Sequence, residues 1–217
     1  MLSLQLKKGV LISIIRTMKI LELYSGTGTF SKIAKELGHE VYTIDNNPKC
    51  NPNKCIDILK LKMEDIPFKP DMIWASPPCT DYSHAKRTGV SYIELSNMLV
   101  IKTISLILAL KPKYWVIENP QTGTLKFQYF ISELPYTDVD YCRYGKKFRK
   151  RTRLWNNFGF IGKSCVCKGK HEDSCGNGRA KYTENKLNAY QKGSIPEQLT
   201  KEILKQINSS DNTYYEN

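Results

Sequence analysis

Short apolar runs alternate with amphipathic stretches along most of the chain. The runs at residues 19–24, 41–44, 72–75 and 114–117 are four to six residues long. That length favours buried strands over helices, which usually need about ten residues or more. Stretches with helical spacing separate several of these runs. The alternation predicts an α/β fold, with a doubly wound and mostly parallel sheet whose loops converge on one cleft.

Three helices are predicted. The first covers residues 31–37 and ends at Gly38. The second covers residues 91–110. One set of its residues recurs at helical spacing, namely Leu95, Met98, Leu99, Lys102 and Leu106, and the apolar members of this set are expected to be core. The third begins near Pro196, and its apolar face consists of Leu199, Ile203, Leu204 and Ile207. Residues 208–217 are expected to form a disordered tail.

Composition limits the architecture and the partners. At 217 residues and 41% hydrophobic content, the chain supports one main core with at most a small appendage. A net charge of +12 favours a polyanionic partner such as nucleic acid over the alternative of a basic surface that is merely soluble. Seven scattered cysteines, an odd count, indicate a reducing compartment. We therefore expect an intracellular protein, cytoplasmic or associated with the nucleoid.

The N-terminus imitates a secretion signal. An apolar run at residues 10–15 follows two lysines, but Arg16 comes next and no small-residue cleavage site appears, so secretion is not expected. Met18 stands directly before the first strand, which suggests that residues 1–17 are a dispensable extension. No run reaches the roughly 20 apolar residues of a membrane span, and Lys102 interrupts the longest candidate, so no membrane partner is expected.

One cysteine follows the run at residues 72–75. The segment Ser76-Pro-Pro-Cys79 restricts the backbone next to the thiol through two prolines. In parallel sheets, function collects in the loops after the carboxyl ends of the strands. Cys79 is therefore a candidate nucleophile, which reacts as a thiolate and needs nearby positive groups to lower its pKa. Pro-Pro-Cys considered alone is better explained by a structural cysteine.

Other polar residues are expected at the same edge. The segment Ser25-Gly-Thr-Gly-Thr-Phe30 is a glycine turn before a helix, which allows a ligand to approach closely. Asp45 ends the second strand, a position that suits a carboxylate accepting both hydroxyls of a ribose, and Asp57 could take hydrogen bonds from an adenine amino group. Taken singly, each aspartate is better explained by a helix cap or an exposed turn. Glu118 follows the strand at residues 114–117.

The C-terminal third combines basic residues with cysteines. Residues 143–153 hold seven basic side chains in eleven positions, which indicates a solvated basic face or a phosphate contact. Strand alternation would put Arg149, Arg151 and Arg153 on one side. Residues 156–186 are polar and carry four candidate zinc ligands, with free thiols in a flexible insert as the alternative. The four are Cys165, Cys167, His171 and Cys175.

Four motifs occur in one order, Glu22-Leu-Tyr-Ser-Gly-Thr-Gly-Thr-Phe30, Ser76-Pro-Pro-Cys79, Glu118-Asn-Pro120 and Arg149-Lys-Arg-Thr-Arg153. Together they resemble the cytosine carbon-5 DNA methyltransferase family, especially its short phage-like members, over about residues 18–207. The resemblance implies a Rossmann-like sheet of the S-adenosylmethionine-dependent methyltransferase type, with a small cysteine-containing insert. It also implies methyl transfer from S-adenosylmethionine to carbon 5 of a cytosine flipped out of duplex DNA, as in restriction-modification.

The resemblance also implies a cofactor site. The glycine loop would line the methionine part of S-adenosylmethionine, and Asp45 would hold the ribose. Asp57 and Ile58 would hold the adenine, which Tyr24 flanks. The implied cofactor residues are Tyr24, Ser25, Gly26, Thr27, Gly28, Thr29, Phe30, Asp45, Asn46, Asp57, Ile58, Ser76 and Pro77.

For catalysis, the family's roles imply that Cys79 adds to carbon 6 of cytosine. Glu118 would hydrogen-bond to ring nitrogen 3, because the developing negative charge needs stabilisation. Asn119 belongs to the same motif. Arg151 and Arg153 would lie near Cys79 and the flipped base, where their charge helps a thiolate to persist.

The implied division places catalysis and cofactor binding in residues 18–155. Residues 156–186 would form a short target-recognition or zinc insert, which predicts a short or relaxed target sequence. Residues 187–207 would be a C-terminal segment whose helix packs back on the catalytic domain. Two departures from the family stand out: Arg149 replaces a glutamine, and residues 189–194 lack the asparagine that the closing motif normally supplies near the cofactor.

Two other functions stay open at this point. A tRNA-modifying branch of the family uses the same Pro-Pro-Cys and Glu-Asn arrangement, although residues 149–155 favour DNA. An inactive nucleic-acid-binding relic would use the basic run and zinc. The joint presence of Cys79, Glu118 and the glycine loop favours an enzyme.

Overall fold

The computed structural model describes residues 16–83, 90, 92–168, 171, 174–175, 179–180 and 193–213. All but the last two residues of the predicted N-terminal extension lie outside this part of the chain. The strands are β1 (Lys19–Leu23), β2 (Glu40–Asp45), β3 (Lys54–Cys55), β4 (Met72–Ala75), β5 (Tyr114–Pro120), β6 (Tyr136–Asp140), β7 (Arg151–Asn156), β8 (Ser174–Cys175) and β9 (Arg179–Ala180). The helices are α1 (Thr29–Glu36), α2 (Ile93–Leu110) and α3 (Glu197–Thr213).

Seven strands form one sheet in the order β3-β2-β1-β4-β5-β7-β6. The strands from β1 to β5 pair in parallel, whereas β7 runs antiparallel to both β5 and β6. The chain builds outward from β1 to β3 and then returns to the other side of β1, so a topological switch point lies between β1 and β4. In doubly wound sheets a ligand binds at this crevice. The predicted doubly wound, mostly parallel sheet is confirmed.

One face of the sheet is covered by α1 and α3. Phe30 of α1 stacks on Trp74 of β4 with ring centroids 4.3 Å apart. The predicted apolar face of α3 is confirmed, because all four of its residues are buried, namely Leu199, Ile203, Leu204 and Ile207. The helix continues to Thr213, six residues into the segment that was expected to be disordered.

The other face of the sheet is covered by α2, through a different stripe from the predicted one. Leu95 and Met98 are 48% and 54% exposed, so their assignment to the core was wrong. Leu106 is buried as predicted, and the other buried side chains of the helix are Ser96, Val100, Thr103, Ile107 and Leu110. A helix that is apolar around most of its circumference has no strongly preferred stripe, so contact with the sheet decides. By length and composition α2 could also cross a membrane, but here it packs on the sheet.

After β7 the chain turns back along β6, over residues 160–167, which we call the return segment. Thr137 donates a hydrogen bond from its hydroxyl to the carbonyl of Phe160 at 2.6 Å, and the Asp140 amide donates to the carbonyl of Lys163 at 3.1 Å. At Gly162 the fit is so close that a Cβ atom would lie 2.5 Å from Cγ1 of Val139. These contacts fix the base of the cysteine-containing insert against β6.

Candidate active site

A cavity of about 450 Å³ opens at the carboxyl ends of β1, β4 and β5. This is the size of a small-molecule site. The carboxyl ends of parallel strands meet at one sheet edge, so the glycine loop, the Pro-Pro-Cys loop and the Glu118 region come together here. The lining residues are Glu22, Tyr24, Ser25, Gly26, Thr27, Thr29, Ser76, Pro77, Pro78, Cys79, Thr80, Glu118, Pro120, Lys150, Gly193, Ser194 and Ile195.

Cys79 sits at the rim of this cavity, on the loop after β4. The residue is exposed to solvent and caps a short 3₁₀ turn, Thr80–Tyr82. Asn119 of β5 donates a hydrogen bond from its side-chain nitrogen to the carbonyl of Pro77 at 2.9 Å. Because Asn119 is buried, this bond ties the Pro-Pro-Cys loop to the neighbouring strand. The structure therefore gives Asn119 a contact that positions the loop.

Glu118 is a buried carboxyl group that lines the cavity. Its Oε1 accepts hydrogen bonds from the hydroxyl of Tyr141 at 3.1 Å and from the ammonium group of Lys150 at 3.3 Å. That ammonium group also lies 4.6 Å from the centroid of the Tyr141 ring. Two donors on one oxygen fix the orientation of the carboxyl group and leave Oε2 for a ligand.

The electrostatic environment of Cys79 differs from the expected one. Dehydration by surrounding protein atoms raises the pKa of the Cys79 thiol, and the nearby Glu118 raises it further. Lys150 lowers the pKa, but the net direction is upward. Although the residue has solvent-exposed surface, the thiol form therefore dominates at neutral pH. Attack as a thiolate requires the proton to leave when the substrate binds.

The structure does not bring Arg151 and Arg153 into the cavity with Cys79. Arg153 makes two hydrogen bonds with Asp138 of β6, at 2.7 and 2.8 Å, and its guanidinium carbon lies 3.5 Å from the centroid of the Tyr136 ring. Arg151 is exposed. Side chains alternate across a strand, so these arginines lie on the opposite face from Glu118.

Arg149 shares the arginines' face and pairs with Asp140 at 2.7 and 3.3 Å. The predicted placement of three arginines on one side is thus observed, but two of the three are engaged by carboxylates of β6. Glu118 pairs across the sheet with Leu154, so Leu154 and the even-numbered residues that precede it in the chain lie on the cavity side. Among the described residues that line the cavity, Lys150 is therefore the cation.

The glycine loop lies against β2. The Gly26 amide donates to Oδ2 of Asp45 at 2.9 Å, and the Asn47 amide donates to Oδ1 at 2.8 Å. Gly26 and Gly28 have φ values of 50° and 66°, which glycine adopts without steric cost. Tyr24 also has a positive φ of 59°, and its hydroxyl bonds to the carbonyl of Leu99 at 2.9 Å. The Tyr24 ring is thereby held between the main cavity and a second one.

The second, smaller cavity, of about 50 Å³, continues from Tyr24 towards β3. Predicted cofactor residues that line it are Tyr24, Asp45, Asn46, Asp57 and Ile58. Asp57 also accepts a hydrogen bond from the Leu59 amide at 3.0 Å and caps the 3₁₀ turn Ile58–Lys60. The cap and a ligand contact are compatible, since a carboxylate has two oxygens.

Two predicted cofactor residues do not line either cavity, Gly28 and Phe30. Phe30 is fully buried against Trp74, because the first turn of α1 directs it into the core. Gly28 is the residue before α1 and supports the turn through its backbone. The other predicted cofactor residues line one or both of the two cavities.

A family model described as C-5 cytosine-specific DNA methylase matches residues 18–122. A protein of Frog virus 3 (isolate Goorha), described as a probable DNA (cytosine-5)-methyltransferase, is 33% identical over 177 residues, covering 74% of this chain and 78% of the relative. The chain belongs to the C-5 cytosine-specific DNA methylase family. The resemblance and the Rossmann-like methyltransferase fold it implied are confirmed.

Solved structures resemble this methylase-family chain more distantly. They include a DNMT2 mutant from Spodoptera frugiperda, with a TM-score of 0.48 and 21% identity over 70% of this chain and 56% of that chain. Dnmt2 of S. pombe gives 0.46 and 19% over 76% and 58%, and EhMeth of Entamoeba histolytica gives 0.47 and 14% over 72% and 58%. The chain spans little more than half the length of these solved proteins.

Several residues in or next to the cavity were not assigned a role from the sequence. Glu22, on β1, is buried, and burial raises its pKa to about 8. Its Oε2 has no hydrogen-bond partner among the described residues. Lys150 and Tyr141, which donate hydrogen bonds to Glu118, had no distinct sequence signal. Lys150 is one of several cations in the basic run, and Tyr141 directly follows β6. Gly193 and Ser194 close the cavity before α3, and Lys146 donates to the Ser194 hydroxyl at 2.8 Å. The position of Glu22 near the end of a predicted strand was the sequence signal that could have placed it at the cavity.

The predicted zinc ligands are partly brought together. Cys165, Cys167 and His171 form one cluster, and Cys142 joins it. The side chain of Cys175 lies outside the described residues. Sequence spacing did not indicate Cys142, because this cysteine precedes Cys165 by more than twenty residues.

Proposed function

We propose that this protein is an S-adenosylmethionine-dependent DNA (cytosine-5-)-methyltransferase that works through a covalent bond to Cys79. The observation that carries the proposal is the convergence of Cys79 and Glu118 on one cavity with the glycine loop. The described function of the Frog virus 3 relative supports DNA as the substrate. The net charge of +12 suits a polyanion.

The residues of the two cavities fit S-adenosylmethionine. Asp45 stands where a ribose would need a carboxylate, and Tyr24 offers an aromatic face between the cavities. Near the glycine loop, the unpartnered Oε2 of Glu22 offers a polar contact for the amino-acid part. When bound, the cofactor supplies an electrophilic methyl group.

Cys79 and Glu118 would divide the activation of cytosine. The Sγ atom of Cys79 forms a bond to carbon 6 after loss of its proton to solvent at the open rim. Electron density moves towards ring nitrogen 3, where the carboxyl group of Glu118 stabilises it by hydrogen bonding and proton donation. Carbon 5 would then be nucleophilic and would accept the methyl group, with the cofactor's neutral thioether as the leaving group. Transfer of the carbon-5 proton to water would re-form the carbon-5–carbon-6 double bond and expel Cys79 as a thiolate, while ring nitrogen 3 returns its proton to Glu118.

Lys150 and Tyr141 would orient this step. Since both donate to Oε1 of Glu118, a proton on this carboxyl group would reside on Oε2. The ammonium group of Lys150 also lowers the pKa of Cys79, opposing the effects of burial and of Glu118. We assign to Lys150 the electrostatic role that the family resemblance suggested for Arg151 and Arg153.

A cytosine stacked in a duplex cannot reach the cavity, so we propose base flipping. Extrusion costs a few kcal/mol, which pocket contacts and phosphate binding offset. The residues after β7 would contact the duplex near the flipped base.

The substrate class is tested by incubating purified protein with methyl-tritiated S-adenosylmethionine and either duplex DNA or tRNA. We expect label in DNA, and selective labelling of tRNA would overturn the assignment to DNA. Bisulfite sequencing of DNA from cells that express the chain then gives the target sequence.

The mechanism is tested with Cys79→Ser and Cys55→Ser, the latter an exposed cysteine that lines neither cavity. We expect Cys79→Ser to abolish turnover, a loss of at least about 10³-fold, while nucleic-acid binding survives. DNA containing 5-fluorocytosine should trap a covalent adduct with wild type and Cys55→Ser only. Full activity of Cys79→Ser would refute covalent catalysis, and inactivity of wild type on both nucleic acids would favour the relic.

A further inference from the structure

Four side chains meet where the return segment lies against the turn that follows β6. They are Cys142, Cys165, Cys167 and His171, and one donor atom from each lies within 4.8 Å of the others. All four are partly buried. Sγ of Cys165 lies 3.4 Å from Nε2 of His171, and the Cys167 amide donates to the same sulfur at 3.4 Å.

The fold itself delivers these residues to one place. Cys142 belongs to the 3₁₀ turn Tyr141–Tyr144, directly after β6. Cys165 arrives on the return segment, whose backbone is anchored to β6 by the hydrogen bond from the Asp140 amide to Lys163. The Cys165 amide donates to Oδ2 of Asp140 at 2.7 Å. The cluster is therefore held from two sides by ordered backbone rather than by a local sequence motif.

The donor set selects the kind of ion. Three thiolates and one imidazole are the ligands of structural zinc sites, which are tetrahedral with four protein ligands. With zinc–sulfur bonds of about 2.3 Å, the donors of a tetrahedral site lie roughly 3.7 Å apart. The cluster needs only small side-chain movements to reach that geometry. A complete set of four protein ligands leaves no position for a reacting molecule.

We propose that Cys142, Cys165, Cys167 and His171 bind a structural Zn²⁺ ion that fastens the insert to the catalytic domain. The ion takes its fourth ligand, Cys142, from the turn after β6, in place of Cys175 from within the insert. Cys142 follows Tyr141, whose hydroxyl bonds to Glu118. Metal binding therefore also stabilises the turn that carries Tyr141, whichever nucleic acid is methylated.

The first test measures metal in the wild-type protein. Protein purified from zinc-supplemented cells under reducing conditions should contain about one zinc ion per chain by elemental analysis. Replacement with Co²⁺ should give the intense visible bands of tetrahedral cobalt and a thiolate charge-transfer band. Absence of zinc together with absence of these bands after reconstitution would overturn the proposal, whether or not the protein methylates DNA.

Two variants separate the ligand sets. Cys142→Ser should weaken zinc binding by at least about tenfold in competition with a chromophoric chelator. Cys175→Ser should bind zinc like wild type, as should the control Cys55→Ser. Loss of zinc from Cys175→Ser with retention by Cys142→Ser would replace our ligand set by the one within the insert.

Alkylation of the wild-type protein covers the case in which Cys142→Ser fails to fold. Zinc should protect Cys142, Cys165 and Cys167 from iodoacetamide, and a chelator should expose them, with modified peptides identified by mass spectrometry. Cys55 should react equally in both states. Equal reactivity of Cys142 and Cys55 in the zinc-loaded protein, or a disulfide within the cluster in anaerobically purified protein, would contradict the site.

Discussion

At the scale of single residues, the active site depends on which side chain of the basic run faces the cavity. Lys150 contacts Glu118, whereas Arg149 and Arg153 pair with carboxylates of β6. Lysine concentrates its charge on one ammonium group with three rotatable donors, whereas arginine presents a planar fork. The arginine–aspartate pairs therefore hold β7 and the residues before it against β6, whereas the ammonium group of Lys150 donates to Glu118.

Replacement of Lys150 tests this division. We expect Lys150→Met to lower the rate of methyl transfer by about 10- to 100-fold, since Glu118 loses a donor and Cys79 loses its nearby cation. The rising limb of the pH–rate profile should move to higher pH, because the Cys79 thiol becomes harder to ionise. Lys150→Arg should recover part of the rate, and its profile should lie closer to that of wild type.

The matched control is Arg151→Met, which removes a neighbouring exposed cation on the other face of β7. We expect a much smaller rate loss and no shift of the pH profile. Equal effects of the two substitutions would restore the sequence-based assignment of Arg151.

Glu22 gives a prediction about pH and stability in the absence of cofactor. Burial raises the pKa of Glu22 from 4.5 to about 8, so the folded protein keeps a proton that the unfolded chain loses above about pH 4.5. The unfolded state therefore becomes more stable relative to the folded state as the pH rises from 4.5 to about 8. Wild-type stability should fall by about 1.4 kcal/mol per pH unit from this group.

Glu22→Gln removes the titration and keeps the shape of the side chain. In urea unfolding between pH 5 and pH 8, the free energy of unfolding of the variant should rise steadily with pH relative to that of wild type. Glu36→Gln, at an exposed position of α1, controls for general effects of removing a surface charge. A difference between Glu22→Gln and wild type that is independent of pH would show that Glu22 is ionised in the folded protein.

At the scale of elements, the return segment and β6 depend on each other. Phe160 anchors the segment in the core and Lys163 pairs with Glu202, while Gly162 lets the backbone approach Val139 and Thr137. That approach aligns the carbonyl of Lys163 with the Asp140 amide and brings Cys165 to Cys142. One glycine thus has consequences for both the sheet and the cysteine cluster.

Gly162→Ala should reveal this coupling. The new methyl group would lie 2.5 Å from Cγ1 of Val139 and 2.9 Å from Cγ2 of Thr137, which forces the backbones apart. We expect a loss of about 1–3 kcal/mol in the free energy of unfolding, measured with urea. Gly193→Ala is the control, because a Cβ there meets nothing within 4 Å. A stability equal to that of wild type would show that the return segment is not held by this contact.

At the scale of the whole molecule, the doubly wound, mostly parallel sheet was predicted from sequence, whereas the order of its strands was not. β4 has the predicted bounds because a proline lies close to each end of a short apolar run. The apolar face of α3 was predictable because polar residues occupy the rest of that helix. Cys79, Glu118 and the glycine loop follow strands, so parallel topology brings them together without further information.

What the sequence could not reveal depends on tertiary geometry. Strand alternation on β7 was recognised, but the face turned towards Glu118 follows from the pairing of β7 with β5. Lys150 was missed for that reason. Cys142 and Cys165 are far apart in sequence, and only the path of the return segment joins them. The core stripe of α2 was ambiguous because apolar residues surround most of the helix.

The path of the return segment has a further consequence for solubility. β6 is the last strand of the sheet, and its outer side would otherwise offer backbone groups to another chain. The return segment occupies part of that side, while the opposite edge strand, β3, has only two residues. If the cysteine cluster holds the segment in place, oxidation of its thiols would release the segment and expose the unpaired backbone groups of β6 to other chains. Redox damage would then be seen first as aggregation, before methyl transfer is lost.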